Sequence, residues 1–96
     1  MILTLDDVKT HLRIQHDEED DYLESLIAQA QAAAEAFCRV EFSDAPPEPV
    51  RLAALLFVGF YYENRDIPDM VTFKAMRMAF ENLLYPYRNW RNKGAL

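Results

Sequence analysis

The first half of the chain shows two stretches with helical spacing of apolar residues. Thr4 precedes a short stretch with acids at its start, which is typical of a helix N-cap and predicts a first helix over about 5–12. Apolar residues then recur every three or four positions from Leu23 to Phe37. This stripe predicts a long second helix over about 18–39.

The second half of the chain predicts two more helices. A proline-rich loop beginning at Pro46 leads to a third helix over about 48–63, since proline is tolerated in a first turn. This helix is apolar on nearly all sides, which indicates that it is central to the core or covered on its far side by another subunit. The small size of the domain favours cover by another subunit. A fourth helix over about 70–85 ends or bends at Pro86.

Together these elements predict an all-α, single-domain bundle of about four helices. A chain of 96 residues has room for one domain, and we expect a core over about 1–84 with 85–96 as a possible docking tail. The single cysteine, Cys38, is expected to be a buried helix residue. The longest apolar run, Leu52–Tyr62, is far shorter than the roughly 20 residues that cross a bilayer, so no membrane partner is expected.

Charge is distributed unevenly along the chain. Residues 1–73 carry 15 acidic and 5 basic side chains, a net charge of −10, whereas residues 74–96 carry one acidic and five basic, a net charge of +4. An acidic body with a basic, aromatic C-terminal tail lacks the basic face of a typical nucleic-acid reader. The same polarity suits docking to a partner protein.

The residues that could carry chemistry lack the patterns that catalysis requires. The acidic run 17–21 has neither the alternating acids nor the glycine of a calcium loop. His11 and His16 lack the further donors of a zinc site, and neither Ser25 nor Ser43 lies in a nucleophile motif. We therefore predict a protein that is not an enzyme and uses no cofactor or metal.

Two clusters of aromatic and polar residues are candidate partner contacts. The first, at the end of the third helix, comprises Tyr61, Tyr62, Asn64 and Arg65. It could cap the helix, with Asn64 in the left-handed conformation and Arg65 near the negative end of the helix dipole. It could equally contact another subunit, because tyrosine and arginine are common interface anchors.

The second cluster lies near the C-terminus. It comprises Tyr85, Tyr87, Arg88, Trp90 and Arg91. One hypothesis is that this tail folds back onto the body of its own chain. Another is that it becomes ordered on meeting a partner. Stacking on single-stranded nucleic acid is a third alternative.

Several segments resemble one known family. The opening segment 2–14, followed by an acidic run and then by 23–27, resembles the start of the head-to-tail connector (head completion) proteins of long-tailed phages. The segment 53–56 and the following 61–65 are similar to the third helix of that family and its ending, and 83–88 resembles its closing motif. The order and spacing of these motifs carry the resemblance.

The resemblance implies a structural adaptor rather than an enzyme. Members of the family form a homo-oligomeric ring, about twelvefold in the virion, between the portal and the tail-side completion proteins. The ring extends the channel through which DNA passes non-specifically. A chain of this kind would be made in the host cytoplasm and would act in the virion at the head–tail junction. One departure is the continuous helix over 73–80, where many members have a short segment.

Two expectations follow for specific segments. We expect the tail Tyr85–Trp90 to dock on the portal or on a neighbouring subunit. We expect the acids Asp17–Asp21 to be exposed and to face the channel, where like charge would let DNA slide.

The alternative function is a small helical DNA-binding or regulatory module of a prophage. The first two helices could form a helix-turn-helix, but the recognition helix would then present Asp20, Asp21 and Glu24 to phosphates. Their charge is unfavourable for that contact.

Overall fold

A computed structural model describes residues 1–66 and 69–89 of the protein. This part of the chain contains four helices and no strand, so the prediction of an all-α bundle with a long second helix is confirmed. The helices are α1 (Leu5–Leu12), α2 (Asp20–Cys38), α3 (Glu48–Glu63) and α4 (Met70–Leu84). A 3-10 turn, Tyr85–Tyr87, follows α4.

The start of α1 is fixed by a reciprocal capping box. The Thr4 hydroxyl accepts a hydrogen bond from the Asp7 backbone N–H at 3.0 Å, and the Asp7 carboxylate accepts one from the Thr4 N–H at 3.0 Å. These bonds satisfy amide groups that a helix end leaves unpaired. The helix ends at Arg13, which adopts the left-handed conformation with φ of 60° and donates its N–H to the Lys9 and Thr10 carbonyls.

Helix α2 carries the polar groups that hold the irregular segments in place. Gln31 accepts a hydrogen bond from the Ile2 backbone N–H at 2.6 Å, which fixes the N-terminal segment. Glu35 accepts one from the Phe42 N–H at 2.8 Å and another from the Gln31 side chain at 2.7 Å. Two side chains one turn apart therefore attach both the N-terminus and the α2–α3 loop to the same helix.

Helix α3 is largely buried by its own chain. It packs against α2 on one side and α4 on another, while α1 crosses near Gly59. Its buried side chains are Val50, Ala53, Ala54, Leu55, Val58 and Phe60. We expected another subunit to cover the far side of α3. Instead, three helices of this chain surround most of α3. One stripe remains uncovered, at Leu52, Leu56, Gly59 and Glu63.

Small residues on α2 allow α3 to pack closely against it. Ala30 and Ala34 are fully buried in the centre of the bundle, next to the equally buried Leu23. At the end of the helix Cys38 is buried, as predicted, and its Sγ lies 3.6 Å from the Leu84 carbonyl oxygen. Burial raises the pKa of the Cys38 thiol, which disfavours the reactive thiolate form.

Substituting Leu23 with alanine should strongly destabilise the domain. Leu23 is fully buried, so the truncation leaves a cavity and should lower the free energy of unfolding by about 2–5 kcal/mol. Leu52→Ala is the matched control, because Leu52 is 43% exposed and its truncation should cost less than about 1 kcal/mol. Urea denaturation followed by circular dichroism measures both. Equal losses for the two variants would contradict this packing.

Candidate partner-binding surface

The cluster at the end of α3 ties that helix to the start of α2. The Arg65 guanidinium lies over the rings of Tyr22 and Tyr62, 4.8 and 4.7 Å from their centroids, and forms an ion pair with Glu19. The Tyr62 hydroxyl donates a hydrogen bond to the same carboxylate at 2.8 Å. The Tyr22 hydroxyl donates to the Tyr61 carbonyl oxygen at 3.2 Å.

The ionised form of Glu19 is favoured by these contacts. The Tyr62 hydroxyl, and after it the Arg65 guanidinium, lower the pKa of the Glu19 carboxyl. The same hydrogen bond raises the pKa of Tyr62, because its phenolic proton is shared with a carboxylate. The side chains of this cluster therefore bind to one another within the subunit, whether or not the exposed edge of the cluster also contacts a partner.

Asn64 ends α3 in a different way from the one predicted. Its backbone is not left-handed, since φ is −123° and ψ is 67°. Both its backbone N–H and its side-chain amide donate to the Phe60 carbonyl oxygen, each at 2.9 Å. The side chain therefore caps the helix directly, so the capping role holds although the conformation does not. The two left-handed residues in the described part of the chain are Arg13 and Arg39.

The second cluster does not remain together as one surface. Tyr85 is exposed, whereas Tyr87 is half-buried against the core and the Arg88 guanidinium lies 4.7 Å from the centroid of the Phe37 ring. The Asn89 backbone N–H donates to the Cys38 carbonyl oxygen at 2.7 Å. The packed body therefore continues past residue 84, and 85–89 fold back onto the end of α2.

Two members of that cluster, Trp90 and Arg91, lie outside the described residues. A smaller part of the expected docking segment Tyr85–Trp90 is therefore available for contact with a partner. Its first part is attached to the body of the subunit by the Asn89 hydrogen bond, and Tyr85 is its one clearly exposed described aromatic, at 54%.

The acidic run is more engaged than expected. Lys9 forms ion pairs with Asp17 at 2.7 Å and with Asp20 at 2.8 Å, and Glu19 is paired with Arg65. Glu19 and Asp20 are also partly covered. Asp17, Glu18 and Asp21 are exposed, as expected, whereas the expectation is wrong for Glu19 and Asp20, which are half-buried and paired with Arg65 and Lys9. That this surface faces a channel stays a prediction.

An exposed apolar surface that the sequence analysis missed runs along α4. Met70, Val71 and Met78 are 63, 80 and 64% exposed, and Lys74 lies between them on the same side of the helix. We call these four residues the α4 ridge. The core side of α4 is formed instead by Met76, Phe80 and Leu84. The sequence did contain a sign of the α4 ridge, because α4 has more apolar residues than one buried stripe requires.

Two apolar grooves flank α4. The first, of 580 Å³, lies between α1, α3 and α4, and we call it the outer groove. Its lining includes Leu12, Leu56, Gly59, Glu63, Ala75 and Ala79. The second, of 380 Å³, lies on the other side of α4 against Phe37, Phe57 and Phe73. Its charged rim residues, Arg77 and Glu81, are paired with each other at 3.0 Å.

Neither a metal centre nor a membrane span is found in the described residues. No group of three or more histidine, cysteine, aspartate or glutamate side chains in 1–66 and 69–89 is arranged to hold a metal ion. No helix there is both long enough and apolar enough to cross a bilayer. The described surface has exposed apolar ridges and grooves together with charged side chains, and both are common in protein–protein interfaces.

Replacing Glu19 with glutamine should destabilise the protein at neutral pH. Because the pKa of Glu19 is lowered in the fold, its charge stabilises the native state above its ordinary pKa near 4.5. That contribution is lost as pH falls through the lowered pKa. The difference in unfolding midpoint between wild type and Glu19→Gln should therefore shrink on acidification. Glu24→Gln, an exposed change in the first turns of α2, should show no such difference. A pH-independent difference for Glu19→Gln would contradict the assignment.

No curated protein and no solved structure matches this chain. The family described as phage gp6-like head-tail connector protein matches residues 2–91, which include all four helices. Membership of such a family implies a place in the virion. Because the match spans nearly the whole chain, the protein belongs to the phage gp6-like head-tail connector family.

Proposed function

We propose that the protein is a non-enzymatic adaptor subunit that forms a homo-oligomeric ring between the phage portal and the tail. The observation that carries this proposal is the family match over residues 2–91. It covers the bundle, the α4 ridge and the turn that follows α4, so the surfaces available for assembly belong to the family region. The ring would extend the channel through which DNA leaves the head, without reading its sequence.

The surface of the subunit supports an assembly role. A subunit in a closed ring meets its two neighbours through two different faces. The α4 ridge and the outer groove are two such faces, since they lie on different sides of the same helix. The contrast between a body of net charge −10 and a C-terminal segment of net charge +4 would help to orient the subunit on its partners.

The two aromatic clusters have different parts in this proposal. The α3 cluster around Arg65 would act mainly within the subunit, by fixing α3 relative to α2. The C-terminal cluster would contribute Tyr85, and beyond it Trp90 and Arg91, to contact with the portal, a neighbouring subunit or a tail-side completion protein. Tyr87 and Arg88 would hold the base of that segment against α2.

Mass measurement with and without the portal protein of the same phage tests this function. Multi-angle light scattering over a concentration series should show a closed ring of many copies, either alone or on the portal. Apolar surface as extensive as the α4 ridge provides the driving force, because removing it from water is favourable.

A chain ending at Asn89 serves as the comparison. It keeps the hydrogen bond between Asn89 and Cys38, so its four helices should remain folded, while residues 90–96 are lost. Weaker portal binding by this chain would assign part of the contact to 90–96. A full-length chain that stays monomeric and fails to bind the portal at every concentration would refute the proposed function.

A further inference from the structure

We infer that the outer groove receives the α4 ridge of a second copy of this chain, with Lys74 of one copy opposite Glu63 of the other. The inference rests on the proposed ring and specifies which two faces of the subunit meet in it.

The ridge has the composition of a surface that becomes covered. Val71 is 80% exposed and Met78 64%, and they lie about two turns apart on one side of α4. Scattered apolar side chains are ordinary on a protein surface, but a line of them along a helix marks a contact site. Methionine suits such a site, because its unbranched side chain adapts to the surface it meets.

The outer groove has the complementary shape. At its centre Gly59 has no side chain, and a Cβ built there would meet Leu12 Cδ2 at 3.6 Å as its nearest neighbour. Small residues of α4, Ala75 and Ala79, line the opposite wall. The small residues leave room in the middle of the groove, whose lining is mostly apolar but also includes His11, Asn64, Thr72 and one acid, Glu63. A helix ridge can enter such a groove if its bulky residues coincide with the small ones.

The spacing of residues on the two helices allows that coincidence. Lys74 and Met78 are four residues apart on α4, and Glu63 and Gly59 are four residues apart on α3. If the ridge lies antiparallel to α3 of the other copy with Lys74 beside Glu63, Met78 falls beside Gly59. Met78, one of the two methionines of the ridge, thus meets the position where α3 has no side chain.

The charges at the contact are complementary and unused within the subunit. Neither Lys74 nor Glu63 forms an ion pair with any residue in 1–66 or 69–89. By contrast, Arg65, Arg77 and Lys9 are paired within the chain. A pair of opposite charges at the edge of an apolar contact fixes its register and excludes the reversed orientation.

This contact joins copies head to tail rather than as a symmetric pair. Ridge and groove are different surfaces, so each copy offers one to the neighbour on its left and the other to the neighbour on its right. Such a heterologous contact closes into a ring when the rotation between subunits permits, and otherwise forms a filament. The second groove, against Phe37 and Phe73, lacks this complementarity because its rim charges, Arg77 and Glu81, already neutralise each other.

Charge reversal in the full-length chain tests the pairing. Lys74→Glu and Glu63→Lys each place like charges opposite each other, so each should raise the concentration of half-assembly on the portal by about tenfold or more. The double variant restores opposite charges and should return to within about threefold of wild type. Sedimentation velocity over a concentration series measures all four proteins.

Two further variants keep the test specific. Glu24→Lys reverses an exposed acid of α2 away from the contact and should assemble like wild type. Met78→Glu should impair assembly without rescue by either charge reversal. Lys74, Glu63 and Met78 are all exposed, so the thermal unfolding of each variant in its monomeric form should match that of wild type.

The outcomes separate this inference from the proposed function. If wild type forms no ring, the proposed function itself fails. If wild type assembles and the two single reversals assemble equally well, the ring stands and this contact is wrong. Impaired single variants that the double variant fails to rescue would also overturn it, because direct pairing of Lys74 with Glu63 requires rescue.

Discussion

Helix α3 has more apolar surface than a chain of this size can easily cover, and the arrangement of the other helices follows from this imbalance. The alanines of α2, Ala30 and Ala34, bring that helix close on one side, α4 closes another, and α1 crosses at Gly59. A small domain buries a limited fraction of its surface, so one stripe of α3 stays open beside Leu52 and Leu56. Leu56, Gly59 and Glu63 of that stripe line the outer groove.

The elements that depend on local chemistry were predictable from sequence. The Thr4 cap, the long apolar stripe of α2 and the prolines before α3 set helix bounds that agree with the structure to within two residues. Pro86 ends α4 in a 3-10 turn, as its missing N–H requires. The buried state of Cys38 followed from its place on the inner face of α2.

The contacts between distant residues were not predictable in the same way. Spacing along the chain gives no sign that Arg65 will lie between Tyr22 and Tyr62, or that Lys9 will neutralise Asp17. Such pairings depend on how the helices dock, and they turned an expected exposed acidic surface into a partly neutralised one. The α4 ridge was missed for a related reason, since an apolar residue in an amphipathic helix is first assigned to the core.

The subunit combines a firmly packed interior with apolar surface that its own helices leave exposed. The Arg65–Glu19 contacts and the Asn89 hydrogen bond make the bundle a unit, while the α4 ridge and the outer groove leave apolar surface at two sites. A connector needs this combination, because it must keep its shape while it binds on several sides at once. The family match and the exposed apolar surface thus support a connector role independently of each other.

Electron cryomicroscopy of the protein assembled on the portal tests the proposed contact most directly. The expected result is a ring in which α4 of each copy lies in the outer groove of the next, with Met78 beside Gly59 and Lys74 beside Glu63. A ring whose subunits meet through other surfaces, leaving the α4 ridge in solvent, would contradict it.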